Sequence, residues 1–154
     1  MTWHSGTISL KDERATIELA DLIAPALKLG DTLLLSGAIG AGKSFFSRAI
    51  IRHIFGQDTE VPSPTFTLVQ TYSNDETEVW HCDLYRLLNP DDIFELGLDE
   101  AFETAICLIE WPDRLGQDTP ENALNLEFRA ETTGHSVQIS GPETWSQLFG
   151  GRSD

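Results

Sequence analysis

Along the chain, the spacing of apolar residues switches between a period near two and a period near 3.6, and each switch marks an element. "WHSGTISL" alternates weakly and predicts an edge strand. In "DERATIELADLIAPALKLG", residues Ile17, Leu19, Ala20, Leu22, Ile23, Ala26, Leu27 and Leu29 form a broad helical apolar face. Asp12 is placed to cap that helix, Pro25 to kink it and Gly30 to end it. "DTLLLSG" contains a short unbroken apolar run, Leu33 to Leu35, as in strands buried on both faces. "SFFSRAIIRHIFG" returns to helical spacing through Phe46, Ala49, Ile50 and Phe55, with Gly56 as a stop.

The second half reads mainly as strands. Thr65 to Tyr72 and Glu76 to Asp83 flank the turn cluster Ser73-Asn74-Asp75, which predicts a hairpin. "NPDDIFELGLDEAFE" predicts one or two short helices. "AICLIE" is a second buried strand, and "WPDRL" ends it. "NALNLEFRA" and "HSVQIS" form another antiparallel pair, and "PETWSQLF" a last short helix. The sum is an α/β fold in three layers, with a central mixed sheet: parallel core strands with antiparallel extensions.

The chain has 154 residues, which fits a single domain over residues 1–154 with a sizeable core. No apolar run is long enough to span a membrane. The N-terminal stretch lacks the basic and apolar regions of a secretory signal. Cys82 and Cys107 lie far apart and form no C-x-x-C, against a zinc site or a disulfide framework. These features together read as cytoplasmic. The formal net charge is −15, and so acidic a surface repels phosphate backbones. Direct tRNA or DNA binding is therefore not expected, whereas an acidic face could dock on a basic protein.

Candidate chemistry concentrates in "GAIGAGKS", which follows one predicted strand and opens one predicted helix. Gly37, Ala38, Ile39, Gly40, Ala41, Gly42, Lys43 and Ser44 fit G-x-x-x-x-G-K-[ST], the phosphate-binding loop. The glycines let backbone N–H groups turn inward around an anion, and the helix start adds its positive dipole end. Lys43 can reach the outer phosphates of a nucleotide, and is expected to face ligand rather than the core. The Ser44 hydroxyl can ligate Mg²⁺. A metal-bound triphosphate also needs an acid at the end of another buried strand. Glu110 closes "AICLI" and is the better candidate; Asp83 closes "TEVWHCD" and is suited to orient a water. Strand alternation puts His81 on the same face as Asp83. Thr65, in "SPTFT", is placed to bring a hydroxyl to the terminal phosphate, with Ser63 second. Trp111 follows Glu110 and reads equally as a core ring or a nucleotide neighbour.

Together, "LSGAIGAGKS", "SPTFTLVQTY", "HCDLYRL" and "LIEWPDRL" resemble the TsaE (YjeE) family, over about Thr16 to Phe128. The resemblance implies a P-loop ATPase that needs ATP and Mg²⁺ and hydrolyses ATP weakly alone. It implies a role in making threonylcarbamoyladenosine beside the tRNA anticodon, with TsaD and TsaB as partners. By the same resemblance Lys43 and Ser44 hold phosphate and Mg²⁺, and Glu110 is a Mg²⁺ ligand. Asp83 is catalytic, Thr65 is the switch hydroxyl, and Thr16 lies near the nucleotide. The chain departs from the family's pattern at Ala38, where an acidic residue is usual, and at His135, where an Arg is common.

Three other readings fit less well. Guanine recognition would need an N-K-x-D element, and no lysine here follows an asparagine. A small-molecule or nucleotide kinase would use several arginines on a lid, and no such cluster is present. The third, a non-catalytic adaptor in which ATP props up a binding surface, stays open.

Overall fold

The computed structural model describes residues 2–149 apart from Ile39 and Pro90. Seven strands make one sheet: β1 (Thr2–Leu10), β2 (Thr32–Ser36), β3 (Val69–Ser73), β4 (Glu78–Asp83), β5 (Ile106–Glu110), β6 (Leu124–Ala130) and β7 (His135–Pro142). Their spatial order is β1-β7-β6-β2-β5-β4-β3. Strands β6, β2, β5 and β4 run parallel, while β3, β7 and β1 extend the sheet antiparallel. The mixed sheet is thus as expected, and β1 is an edge strand. One detail differs: β6 pairs antiparallel with β7, but it also lies parallel to β2 and so joins the parallel core.

Helices cover both faces. On one face, α1 (Glu13–Ile23) and α2 (Lys43–Phe55) bury Leu19, Ala20, Ile23, Phe46, Ile50 and Ile51 against Leu33, Leu35 and Leu108 of the sheet. On the other, α3 (Asp92–Leu96) and α4 (Leu98–Thr104) bury Ile93, Leu98 and Ala101 against Leu34, Cys107 and Ile109. Leu33, Leu34 and Leu35 alternate between the two cores, which is why the run is unbroken in sequence. Phe46 is fully buried, and its ring centroid lies 5.5 Å from that of Phe128 on β6. Deleting a buried ring of this size typically costs about 3–5 kcal/mol, so this contact is a principal anchor of α2.

Asp12 caps α1 as expected: its side chain accepts the Ala15 N–H at 2.9 Å. Pro25, however, ends the helix instead of kinking it. The α turns stop at Ile23 and tighten into a 3-10 turn over Ala24–Ala26, since proline has no N–H to continue the ladder. The core face of α1 is also narrower than the apolar pattern suggests. Thr16, Leu19, Ala20 and Ile23 are buried at i, i+3, i+4, i+7, while Ile17, Leu22 and Leu29 are more than two-fifths exposed.

The hairpin forms, but β3 begins at Val69 and not at Thr65. Leu68 adopts a left-handed φ of 68° and donates its N–H to Pro64 O at 2.8 Å. Residues 64–68 therefore curl into a turn, and Leu68 O then accepts the Asp83 N–H at 2.9 Å. The segment after β5 forms a 3-10 stretch, Pro112–Asp118, and so does the last segment, Glu143–Phe149. Among the described residues, no helix is long and apolar enough to cross a membrane.

Candidate functional site

The loop between β2 and α2 is shaped by three glycines with left-handed φ: Gly37 at 132°, Gly40 at 84° and Gly42 at 111°. At Gly37 the reason is steric as well as torsional. A Cβ there would lie 2.3 Å from Phe128 O, so the loop base sits directly on the backbone of β6. Gly42 precedes α2 and accepts the Phe46 N–H at 3.0 Å. Ala38 is exposed, Ala41 is buried, and Ile39 lies outside the described residues.

Lys43, expected to be exposed to ligand and outside the core, is only 4% exposed, a correction to the first of these, and belongs to neither hydrophobic cluster. Its Nζ donates to Gly37 O at 2.6 Å and lies 3.7 Å from the Trp111 ring centroid. Burial pulls its pKa below the usual lysine value, while Glu110, Asp83 and Asp113 push the other way. Those acids are the counter-charges of an ammonium that has left bulk water.

Asp83 and Glu110 are cross-strand partners at the ends of β4 and β5. Both are buried. Glu110 Oε2 accepts from His81 Nε2 at 2.6 Å, and Glu110 Oε1 accepts from the Ser44 hydroxyl at 3.0 Å. Asp83 Oδ1 accepts the Tyr85 N–H at 3.1 Å, and Asp83 Oδ2 faces the Thr65 hydroxyl at 3.5 Å. Thr65 Oγ1 lies 2.6 Å from Ser63 Oγ. Each carboxylate thus has one oxygen fixed by a neighbouring donor, the His81 ring for Glu110 and the Tyr85 N–H for Asp83, and one turned to a hydroxyl on a loop or helix end.

Lys43, Ser44, Ser63, Thr65, Asp83 and Glu110 line one cleft of about 610 Å³, which also takes in Thr16 and His135, while His81 is not among its lining residues. The His135 ring nitrogen Nε2 lies 3.0 Å from Gly40 O, so the start of β7 braces the loop. Trp111 is half-buried, adopts a φ of 59° and packs its ring 4.8 Å from Tyr85. It both packs against the core on the α3–α4 face of the sheet and lines the cleft.

The structure brings Thr16, Gly40, Gly42, Lys43, Ser44, Thr65, Asp83, Glu110 and Trp111 to this cleft. Sequence reasoning paired His81 with Asp83 because alternation puts them on one face. His81 in fact bonds to Glu110, because the parallel register of β4 and β5 sets Asp83 beside Glu110 and leaves His81 diagonal to it. Tyr85 and Arg86, the end of the "HCDLYR" motif, also line the cleft, as do Asp12 and Glu13 at the start of α1, which carried no motif signal of this kind. Cys82 and Cys107 are free and buried in the opposite core. Burial pushes the Cys107 thiol up to about 12 and the Cys82 thiol well above its ordinary value, so neither is a ready nucleophile.

The donor set suits a hard cation. Ser44 Oγ and Glu110 Oε1 are adjacent oxygens facing the cleft. Among the described residues no group of three or more His, Cys, Asp or Glu could hold a metal ion by itself. Mg²⁺ commonly binds through one or two protein oxygens and completes its shell with phosphate and water. The residues present therefore fit Mg²⁺ carried by a phosphate ligand.

Residues 10–138 match the family model described as "Threonylcarbamoyl adenosine biosynthesis protein TsaE". A protein of Rickettsia felis named tRNA threonylcarbamoyladenosine biosynthesis protein TsaE is 48% identical over 104 residues, 68% of this chain and 61% of that protein. This chain therefore spans about three fifths of that relative's length. The Rickettsia bellii protein of the same name is 45% identical over 126 residues, covering 82% of this chain and 87% of that one. The crystal structure of Bacillus subtilis YdiB superposes with a TM-score of 0.77 at 26% identity, covering 97% of this chain and 94% of that one.

The loop geometry yields a stability prediction. Gly37→Ala forces a Cβ against Phe128 O at a left-handed φ. Strain of this kind costs about 1–3 kcal/mol before any steric shift is added. Urea unfolding should show a lower midpoint with an unchanged slope; an unshifted midpoint would mean that the loop base does not rest on β6.

Proposed function

The chain belongs to the TsaE family, and on that premise we propose that it is a Mg²⁺-dependent P-loop ATPase, slow alone, that serves formation of threonylcarbamoyladenosine next to the tRNA anticodon. It acts by docking its ATP-loaded form on a TsaD–TsaB complex. The observation that carries this reading is the pair of cross-strand carboxylates, Glu110 facing Ser44 and Asp83 facing Thr65, beside a glycine-rich loop and its lysine.

In this reading the loop N–H groups and the start of α2 receive the phosphates. Lys43 exchanges the neutral Gly37 carbonyl for a phosphate oxygen, a charge-assisted bond about twice as strong. Ser44 and Glu110 hold Mg²⁺, which when bound neutralises charge on the terminal phosphates. Asp83 has one oxygen fixed by the Tyr85 N–H. Its other oxygen, on the Thr65 side, is free to accept a proton from, or orient, an attacking water. Thr65 sits in the 64–68 turn, so contact with a terminal phosphate would be felt along the loop surface around it. That is the means by which ATP and ADP would present different surfaces to a partner.

The arginines support hydrolysis over transfer to a small acceptor. Among the described residues lining the cleft, Arg86 is the only arginine, and its guanidinium lies 4.5 Å over the Phe66 ring. Arg52 bonds Thr59 O and Arg129 bonds Glu127, both away from the cleft.

Removing the lysine charge tests the loop. Lys43→Met, which keeps the buried stem, should weaken ATP binding by roughly 10–100-fold, the worth of a hydrogen bond to a charged group, with a near wild-type melt. Unchanged affinity in calorimetry on the folded variant would end the P-loop reading.

The two acids should separate. Glu110→Gln is expected to remove most of the Mg²⁺-dependent part of ATP affinity. Asp83→Asn should leave affinity close to wild type and slow phosphate release. The opposite pattern in calorimetry and a phosphate-release assay would exchange the two roles.

The charge balance, ten basic against twenty-five acidic residues, bears on partners. The isolated protein should show no measurable tRNA binding, because it has little with which to displace phosphate counterions. It should bind TsaD–TsaB more tightly with ATP than with ADP. Micromolar tRNA binding, or docking indifferent to the nucleotide, would refute the model.

A further inference from the structure

The two oxygens of Glu110 face different surroundings, and one side chain determines which oxygen faces where. Oε2 meets His81 Nε2 at 2.6 Å inside the protein, with both residues 2% exposed. Oε1 meets the Ser44 hydroxyl at the cleft. The other ring nitrogen of His81, Nδ1, is buried and has no hydrogen-bond partner among the described residues. A proton on Nδ1 would find no acceptor, and the bare Nε2 lone pair would then face a carboxylate oxygen at 2.6 Å with no proton between them. The ring proton therefore belongs on Nε2, donated to the carboxylate. His81 is not among the residues that line the cleft.

We propose that His81 is a positioning residue: by holding Oε2 in the interior it turns Oε1 toward Ser44 and the metal-ion side of the cleft. This rests on the ATP and Mg²⁺ reading above. Asp83 is fixed differently, by the backbone N–H of Tyr85, which side-chain substitution leaves in place. Glu110 instead depends on a neighbouring side chain, and without it the buried oxygen loses its donor and the carboxylate is free to rotate. Groups that orient a metal ligand in this way typically carry 10–100-fold in metal affinity.

The test uses the whole chain. ATP affinity is measured by calorimetry with Mg²⁺ and with EDTA for wild type, His81→Leu and His81→Gln, with thermal melts as the fold control. His81→Leu should lose roughly 10–100-fold of Mg²⁺-dependent affinity and keep its EDTA affinity. His81→Gln, whose side-chain amide can reach the place of Nε2, should recover most of the loss. Equal Mg²⁺ dependence in folded His81→Leu, or no advantage of Gln over Leu, overturns the proposal. Imidazole nitrogen NMR of the nucleotide-free protein gives a second readout, independent of whether the Leu variant folds. His81 should carry its proton on Nε2, and its resonances should move in Glu110→Gln. A ring protonated on Nδ1, or one insensitive to Glu110→Gln, overturns the proposal. If wild type binds no ATP, the ATPase reading fails, while the imidazole spectrum still decides whether His81 holds Glu110.

Discussion

The register between β4 and β5 is the constraint on which the rest of the site depends. It aligns Asp83 with Glu110 at the carboxyl ends of two adjacent parallel strands, and the separate register of β2 with β5 aligns Leu35 with Glu110 on the other side. The loop that follows β2 therefore opens beside both acids. A slip of one residue in β4 would turn His81 and Asp83 to the opposite core, because side chains alternate with a period of two. Val79, packed in one core, and Cys82, packed in the other, oppose that slip.

The register also has an electrostatic cost. Two carboxylates one strand spacing apart, about 4.8 Å, repel by roughly 3 kcal/mol at an effective dielectric of about 20. The donors around them offset this: His81 and Ser44 on Glu110, Tyr85 N–H and Thr65 on Asp83. Lys43 supplies the opposite charge from the start of α2. The site is thus a small network in which each charge is buried only because the others are. Such networks are sensitive to the loss of a single member.

Backbone strain collects at the same place. Leu68 and Trp111 are the only non-glycine residues with positive φ among those described, and each adjoins an end of the acid pair. Conformations of this kind cost about 1–3 kcal/mol each and persist where packing holds them. Leu68 is held by bonds to Pro64 and Asp83, and Trp111 by its contacts with Tyr85 and Lys43. The strain turns Thr65 toward one acid and the indole toward the lysine.

What the sequence determined alone is what depends on near neighbours along the chain. The strand, glycine loop and helix around Lys43, the cap at Asp12, the stop at Gly56 and the two acids closing strands all follow from local spacing and conformational preference. The mixed α/β architecture follows from the order of those elements. What tertiary structure decided is what depends on residues far apart in sequence. Alternation could put His81 on a face with Asp83, but only the pairing of β4 with β5 gives it Glu110 as partner. Pro25 reads in sequence as a kink with Gly30 as the stop, and the 3-10 turn over Ala24–Ala26 makes Pro25 the stop. The β propensity of residues 65–68 yields to the bonds that curl them toward Asp83. Lys43 is buried with its Nζ against the ring of Trp111, a residue far away in sequence. Local preferences are worth tenths of a kcal/mol per residue, whereas burial and buried hydrogen bonds are worth about one or more apiece. Where they conflict, contacts distant in sequence prevail.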